Sequence, residues 1–310
     1  MLSCSRNDGE PIAPSFFVVM EQAVDTVVVA GATGELGRHV AGALRRRGYR
    51  VRALTRSQAR AGRIAQVADE VRVGDATRPG TIAGLCDGAA VVFSSLGQSV
   101  SLDFAVRGPG YRAVDYVGNH NLLAEARRAG VRRFVYVSAF GAERYPQLAY
   151  MKAHADVAAE VRASGLSYAI LAPTSFFSAY AALVEMARAG RGVIFGDGSA
   201  RTNPIHDADL AERCADAVAE TESRDIPLGG PETLTRRRVA ELAFEAVGRA
   251  PSVRSLPRWS AGLLSAAARP FAPRVSELVA FAAAMFTEDV VAPAYGQRRI
   301  ADYFRELAAS

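Results

Sequence analysis

From Thr26 onward the chain alternates short apolar runs with amphipathic stretches. Thr26–Ala30 is a near-continuous β-branched run, the pattern of a strand covered on both faces. A helix is expected over Leu36–Arg47 and a strand over Arg50–Thr55. Further strands are expected at Glu70–Val73, Ala90–Ser95, Phe134–Ser138 and Tyr168–Leu171, separated by helical stretches that include Tyr111–Ala129 and Met151–Ser164. Strand and helix alternating at this spacing predict an α/β fold with a parallel, doubly wound sheet and right-handed crossovers.

Beyond Pro173 the alternation loosens. The pattern predicts a helix over Phe176–Ala189, a hairpin over Gly192–Asn203 around Gly196-Asp197-Gly198, and a helix over Ala208–Ala219. A short strand at Asp225–Leu228, a Thr-capped helix over Thr235–Gly248 and a mostly helical stretch Pro251–Ser310 follow. The expected division is an extension over 1–24, loose and without signal-peptide character, a nucleotide-binding core over 25–175, and a smaller, mostly helical C-terminal substrate lobe over 176–310 with interleaved core elements. Met20, just before the first strand, is a second candidate start.

Half the residues are apolar and 22% are charged, which excludes a disordered chain. No apolar run reaches the roughly 18–20 residues of a membrane span; the run Leu278–Phe286 is too short and is bracketed by Glu277 and Glu288. The net charge of +5 invites a nucleic-acid reading, but the basic residues are scattered among 32 acidic ones. The two clusters, Arg45–Arg47 and Arg236–Arg238, fall on predicted helices and read as solvated faces. Cys4, Cys86 and Cys214 are far apart, odd in number and without metal-ligand spacing, which suits a reducing cytoplasm and no metal site. A small-molecule partner is therefore expected.

The richest segment is Gly31-Ala32-Thr33-Gly34-Glu35-Leu36-Gly37, between a predicted strand and a predicted helix. Its glycines permit a tight turn and close approach to a pyrophosphate, while the helix N-terminus supplies amides and positive dipole. That placement makes the sheet Rossmann-type. In such folds an acidic residue ending the second strand bonds the ribose hydroxyl of NAD. Here the strand ends Leu54-Thr55-Arg56-Ser57, so Arg56, assisted by Ser57 or Arg38, is expected to favour NADP(H) over NAD(H).

With these motifs the chain resembles the atypical short-chain dehydrogenase/reductases, specifically the NmrA-like and isoflavone-reductase-like branch, over about Asp25 to Pro231. Besides the glycine loop, the resemblance rests on Gly74-Asp75-Ala76-Thr77, Asn119-His120-Asn121-Leu122-Leu123 and Gly130–Ser138. Leu171-Ala172-Pro173-Thr174-Ser175-Phe176-Phe177 and Pro204-Ile205-His206-Asp207-Ala208-Asp209 complete it, with Ala172 where the family carries Arg. The resemblance implies that Asp75 sits near the adenine, that Ser95, Leu96 and Gly97 line the nicotinamide side, and that Pro173 flanks the nicotinamide.

Ordinary members pair Tyr-x-x-x-Lys on one helix with a Ser at the fifth strand. This chain has Ser138 and Tyr150, but His154 stands where the lysine belongs. Lys152 is two residues on, about 200° around a helix, and cannot share a face with Tyr150 there. All 37 basic residues except Lys152 are arginine. Isoflavone-reductase-like proteins keep a lysine at the start of this helix as general acid/base, so the survivor is expected to serve as one, because arginine is effectively never deprotonated. Ser138 and Lys152 would also touch the cofactor. His154 and His206 are weaker candidates, His206 being placed with Asp207 and Asp209 at a helix start. Phe176, Phe177, Tyr180, Met186 and Phe195 suggest an apolar substrate pocket. The expected activity is an NADPH-dependent reductase acting on a small, largely apolar carbonyl or activated alkene. The alternative is a non-catalytic NADP-binding sensor or assembly factor; sugar-nucleotide epimerisation is disfavoured by the missing Tyr–Lys pair.

Overall fold

In β1 (Thr26–Ala30), Val27 and Val29 pack into one apolar core while Val28 and Ala30 pack into another on the opposite face. Successive side chains of a strand point to opposite faces, so an unbroken β-branched run belongs in a sheet covered on both sides. The computed structural model describes residues 24–98 and 110–310. The expectation for residues 1–24 falls on a segment that lies, but for Val24, outside them.

The chain continues through α1 (Glu35–Arg46), β2 (Arg50–Thr55), α2 (Gln58–Ile64), β3 (Glu70–Val73) and β4 (Val91–Ser94). Then come α3 (Val117–Arg128), β5 (Arg133–Val137), α4 (Ala149–Ala163) and β6 (Ser167–Pro173). Among the described residues the main sheet has seven strands in the order β3-β2-β1-β4-β5-β6-β9, all parallel, with β9 (Arg224–Leu228) beside β6. This is the doubly wound order, whose reversal between β1 and β4 opens a crevice at the strands' carboxyl ends. One face is covered by α1 and α6 (Asp207–Ala219), through Val40, Leu44, Leu210 and Cys214. The other is covered by α3 and α4, through Leu122, Ala126, Val157 and Val161. Leu44, wholly enclosed, is the kind of contact whose truncation to alanine costs about 2–5 kcal/mol.

The remaining elements stand over the carboxyl edge. They are α5 (Ala181–Arg188), β7 (Gly192–Phe195), β8 (Arg201–Thr202), β10 (Leu234–Thr235), α7 (Arg236–Ala246), β11 (Val253–Leu256), α8 (Arg258–Ala268), α9 (Pro273–Thr287) and α10 (Ile300–Ala309). Phe177, Leu183, Phe244, Ile300 and Phe304 form their own core, and Met285 of α9 packs with Tyr150 and Met151 of α4. Thr235 caps α7 as expected, its hydroxyl accepting the Arg238 N–H.

The expected hairpin over 192–203 is not formed. β7 pairs in parallel with β11, and β8 pairs antiparallel with β10. The physical reason lies in the loop between them. Carbonyls of Gly198 and Ala200 accept the N–H groups of Arg237 and Arg236 at 3.0 and 2.8 Å, satisfying the exposed first turn of α7 instead of a hairpin ladder. Likewise the stretch expected as one helix over 111–129 begins with a π-helical turn, Arg112–Tyr116, before α3. Such turns concentrate at functional sites. No helix of the described residues is long and apolar enough to cross a membrane.

Candidate active site

Gly31 turns the chain out of β1 with φ of +91°, and a Cβ there would stand 2.6 Å from Ser95 Oγ and 2.8 Å from Ser95 O. Gly37 lies against Gly31, where a Cβ would come within 2.2 Å of its carbonyl oxygen. These approaches press the start of α1 onto the ends of β1 and β4. Gly34, the N-cap of α1, brings no capping side chain, so first-turn N–H groups are left facing the groove. The loop is thus a cradle that any larger side chain would fill, and it fits a pyrophosphate.

On one side of the loop a cavity is lined by Thr33, Arg56, Arg60, Asp75 and Gly97. The end of β2 holds no carboxylate there. Arg38, a suggested helper, is instead paired with Glu35, and Arg60 from α2 takes its place beside Arg56. Asp75 accepts the Thr77 N–H and hydroxyl at 3.0 and 2.8 Å. Burial alone would raise its pKa, but the Thr77 bonds and the Arg56 and Arg78 charges lower it below the ordinary carboxylate value. It stays an ionised acceptor, suited to an adenine amino group.

On the other side a second cavity shares Gly31, Gly34, Ser95, Leu96 and Gly97 with the first, and adds Glu35, Leu36, Gly37, Ser138, Tyr150 and His154. Asn119 ties this end together. Its amide donates to the carbonyls of Leu96 and Asp115 at 3.0 and 2.6 Å, and its oxygen accepts the Ser94 hydroxyl at 2.5 Å. Tyr150 and His154, one turn apart, share the inner face of α4 with ring centroids 4.5 Å apart. His154 Nδ1 bonds Tyr136 Oη at 2.6 Å, and its Nε2 lies 3.8 Å from Oδ1 of Asp115 in the π-helical turn. Burial pushes the imidazole down to about 4, so it is neutral at ordinary pH. Burial, with Asp115 and Tyr111 adding to it, raises the Tyr150 phenol, which remains protonated.

A third, apolar pocket opens from the second. Ser138, Tyr150, Phe176 and Ala179 line both, and Pro173, Tyr180, Arg236, Phe281 and Met285 complete it. The groove therefore runs from an arginine-flanked cavity, past a glycine cradle and two hydroxyls, into an apolar pocket.

Residues 31–221 match the NAD(P)H-binding family. The chain belongs to that family of atypical short-chain dehydrogenase/reductases. It is 32% identical over 260 residues to the divinyl chlorophyllide a 8-vinyl-reductase of Zea mays, covering 75% of this chain and 62% of that protein. The chain thus spans about six-tenths of that relative's length. It is 24% identical over 247 residues to the photosystem II assembly factor Ycf39 of Trieres chinensis, covering 77% of this chain and 75% of that one. An NADPH-dependent quinone oxidoreductase of Escherichia coli, solved with NADPH, shares the fold with a TM-score of 0.69 at 20% identity, over 91% of this chain and 99% of that chain.

Measured against the family's Tyr-x-x-x-Lys pattern, α4 brings Tyr150 and His154 to the groove and leaves Lys152 out. The lysine side chain is 51% exposed, lines none of the three cavities, and donates to both Asp156 carboxylate oxygens at 2.9 Å. Its expected place at the reacting end is corrected accordingly, for the reason already in the sequence: 200° from Tyr150 is the solvent side of α4. The other expected residues line the groove: the loop residues, Arg56, Asp75, Ser95, Leu96, Gly97, Ser138 and Tyr150 at the two cavities beside the glycine loop, and Pro173 at the pocket beyond. His206 is a helix cap, accepting the Ala208 N–H at 3.0 Å. Asp209 is pulled down, against its burial, by N–H groups of Arg298 and Gln297 and so fastens the tail. Asp115, Tyr136 and Arg60 lie outside the expected site residues, and Arg236, expected on a solvated helix face, is instead buried and lines the apolar pocket. Arg60, four residues beyond Arg56 at a helix start, carried a signal in its spacing; the other three are brought in by tertiary packing alone.

Proposed function

We propose that the protein is an NADPH-dependent reductase of an apolar carbonyl or activated alkene, with Tyr150 as proton donor and Ser138 orienting the substrate oxygen. The observation that carries this reading is the sharing of Ser138 and Tyr150 between the cofactor groove and the apolar pocket. Arg56 and Arg60 support NADP(H) over NAD(H), since a guanidinium fork bonds a 2′-phosphate and β2 ends in no carboxylate that would bond a ribose 2′-hydroxyl instead. The reductase names of the maize and E. coli proteins are consistent with it.

When bound, the nicotinamide supplies hydride. The chain's own part is to exclude water with the apolar pocket, hold the acceptor against Pro173 and Phe176, and deliver a proton. Tyr150 would give its proton to the substrate oxygen or carbon that becomes basic as the acceptor is reduced. The raised pKa keeps the phenol protonated, so the proton is in place, and it disfavours the tyrosinate that oxidation would need; the same burial makes Tyr150 a weaker acid than a free phenol. The usual cation behind the tyrosine is absent: His154 is neutral and its Nδ1 is engaged by Tyr136.

That same neutral His154, with the likeness to an assembly factor, favours a second reading as a non-catalytic NADP-binding protein. NADPH oxidation against a panel of hydrophobic enones and ketones separates the two. The reductase reading expects turnover that Tyr150→Phe lowers by about 10²–10⁴-fold with NADPH affinity kept. Tight NADPH binding with no turnover, or a Tyr150→Phe protein as fast as the parent, would sink it.

A further inference from the structure

Two arginines of the described residues are almost fully enclosed, and their surroundings differ. Arg133, 3% exposed, donates to the carbonyls of Ala217 and Glu222 and to Ser167 Oγ, so it fastens backbone. Arg236, 4% exposed at the first turn of α7, lines the apolar pocket. Its Nη1 donates to Tyr180 Oη at 2.5 Å, its Nε has no partner, and its guanidinium carbon lies 5.5 Å from the Phe286 ring centroid. No carboxylate of the described residues is paired with it. Asp289 feels its charge, but that carboxylate is already taken by the Arg201 N–H, Nε and Nη2 at 2.7, 2.9 and 2.7 Å.

A buried cation without a counter-ion is strongly unfavourable, and in apolar surroundings it attracts an anion more strongly than it would in water. The guanidinium fork matches a carboxylate in shape as well as charge. Arg236, Tyr180 and Phe286 line the part of the pocket that the cofactor groove does not share, whereas Ser138 and Tyr150 line both. We propose that Arg236, with Tyr180, is a carboxylate-recognition site, and that the substrate is an apolar molecule carrying a carboxylate remote from its reducible bond. The carboxylate site stands on the surroundings of Arg236; only the position of the reducible bond rests on the reductase reading.

The test is binding of trans-cinnamate and its neutral match trans-cinnamamide to the protein saturated with NADP⁺, measured calorimetrically. The parent should prefer the carboxylate by roughly 10- to 100-fold, the scale of charge-assisted hydrogen bonds. Arg236→Gln should lose that preference while keeping its affinity for the amide, and Arg236→Lys should retain part of it. Without ligand, Arg236→Met should unfold at a Tm equal to or above the parent's, because an unpaired buried charge has been removed; a structural arginine would give the opposite result. Equal affinity for the two probes, no measurable cinnamate binding, a preference surviving Arg236→Gln, or a markedly less stable or unfolded Arg236→Met protein would each overturn the proposal. Failure of the reductase reading shows separately, as absent NADPH oxidation, and leaves the ratio of the two probes untouched.

Discussion

His154 offers a measurable contest between burial and charge. The ring sits inside α4, bonded to Tyr136 and edge-on to Tyr150, with the Asp115 carboxylate 3.8 Å from Nε2. Burial drives the imidazole toward its neutral form, from 6.5 down to about 4, while an ionised Asp115 would pull it the other way. With burial winning, the unfolded chain takes up this proton below 6.5 and the folded protein holds off until about 4. Through that window the unfolded state binds more protons, so stability falls as the pH drops and is fully present above 6.5. Over roughly 2.5 pH units, at about 1.36 kcal/mol each, the loss is on the order of 3 kcal/mol.

Urea unfolding of the parent and of His154→Asn, between about pH 4.5 and 7.5, isolates this contribution as a difference, because every other titrating group is common to both. The parent should lose stability relative to the variant as the pH falls. A flat difference would mean that Asp115 cancels the effect of burial, and a parent that gains on acidification would mean that Asp115 holds an imidazolium. The cation missing behind Tyr150 would then be present after all, and the account of a fully protonated, weakly acidic Tyr150 would fail with it.

Lys152→Arg should leave turnover and NADPH affinity unchanged and shift stability by less than about 0.5 kcal/mol, because an exposed i,i+4 pair contributes little; a tenfold loss of either would return the lysine to the chemistry. Arg56→Gln should weaken NADPH by about 5- to 30-fold and leave NADH unaffected, the usual range for a charge-assisted bond discounted for exposure; titration with both cofactors checks it, and an unchanged ratio refutes the preference. Gly37→Ala places a Cβ 2.2 Å from the Gly31 oxygen and 2.6 Å from its carbon, both backbone atoms that cannot swing aside. It should cost about 1–3 kcal/mol of stability and at least tenfold in NADPH affinity; a variant that matches the parent in thermal unfolding and titration would contradict the cradle.

The sheet was legible because each of its strands announces itself locally. Thr26–Ala30, Arg50–Thr55 and Glu70–Val73 stand where their runs placed them, and the glycine loop falls at the topological switch between β1 and β4. What was not legible depends on groups far apart in the chain. The loop after β7 reads as a hairpin turn until α7, nearly forty residues on, claims its carbonyls. The π-helical turn that carries Asp115 has no signature beyond that of the helix it precedes. The pattern makes Arg236 one of three surface arginines, yet Arg237 and Arg238 bond Ser255 and Glu245 at the exposed surface while Arg236 points inward, a difference set by Tyr180 and Phe286 from other elements.

Lys152 shows how two sound arguments from one sequence can disagree, and which of them deserves more weight. A lone lysine among 36 arginines suggests retention for a property that arginine lacks. That is an inference about history, and it says nothing about where the side chain goes. Helical geometry does: a residue 200° from Tyr150 can reach the groove only if Tyr150 does not. Tyr150, Met151, His154, Val157, Ala158 and Val161 form a continuous apolar face on α4, and burying it forces Lys152 outward. Turning α4 to bring the lysine in would expose those six residues, at a cost of several kcal/mol, against less than about 1 kcal/mol for the ion pair with Asp156. The packing of the helix therefore decides the matter, and it puts His154 behind Tyr150 in the position where the family keeps its cation.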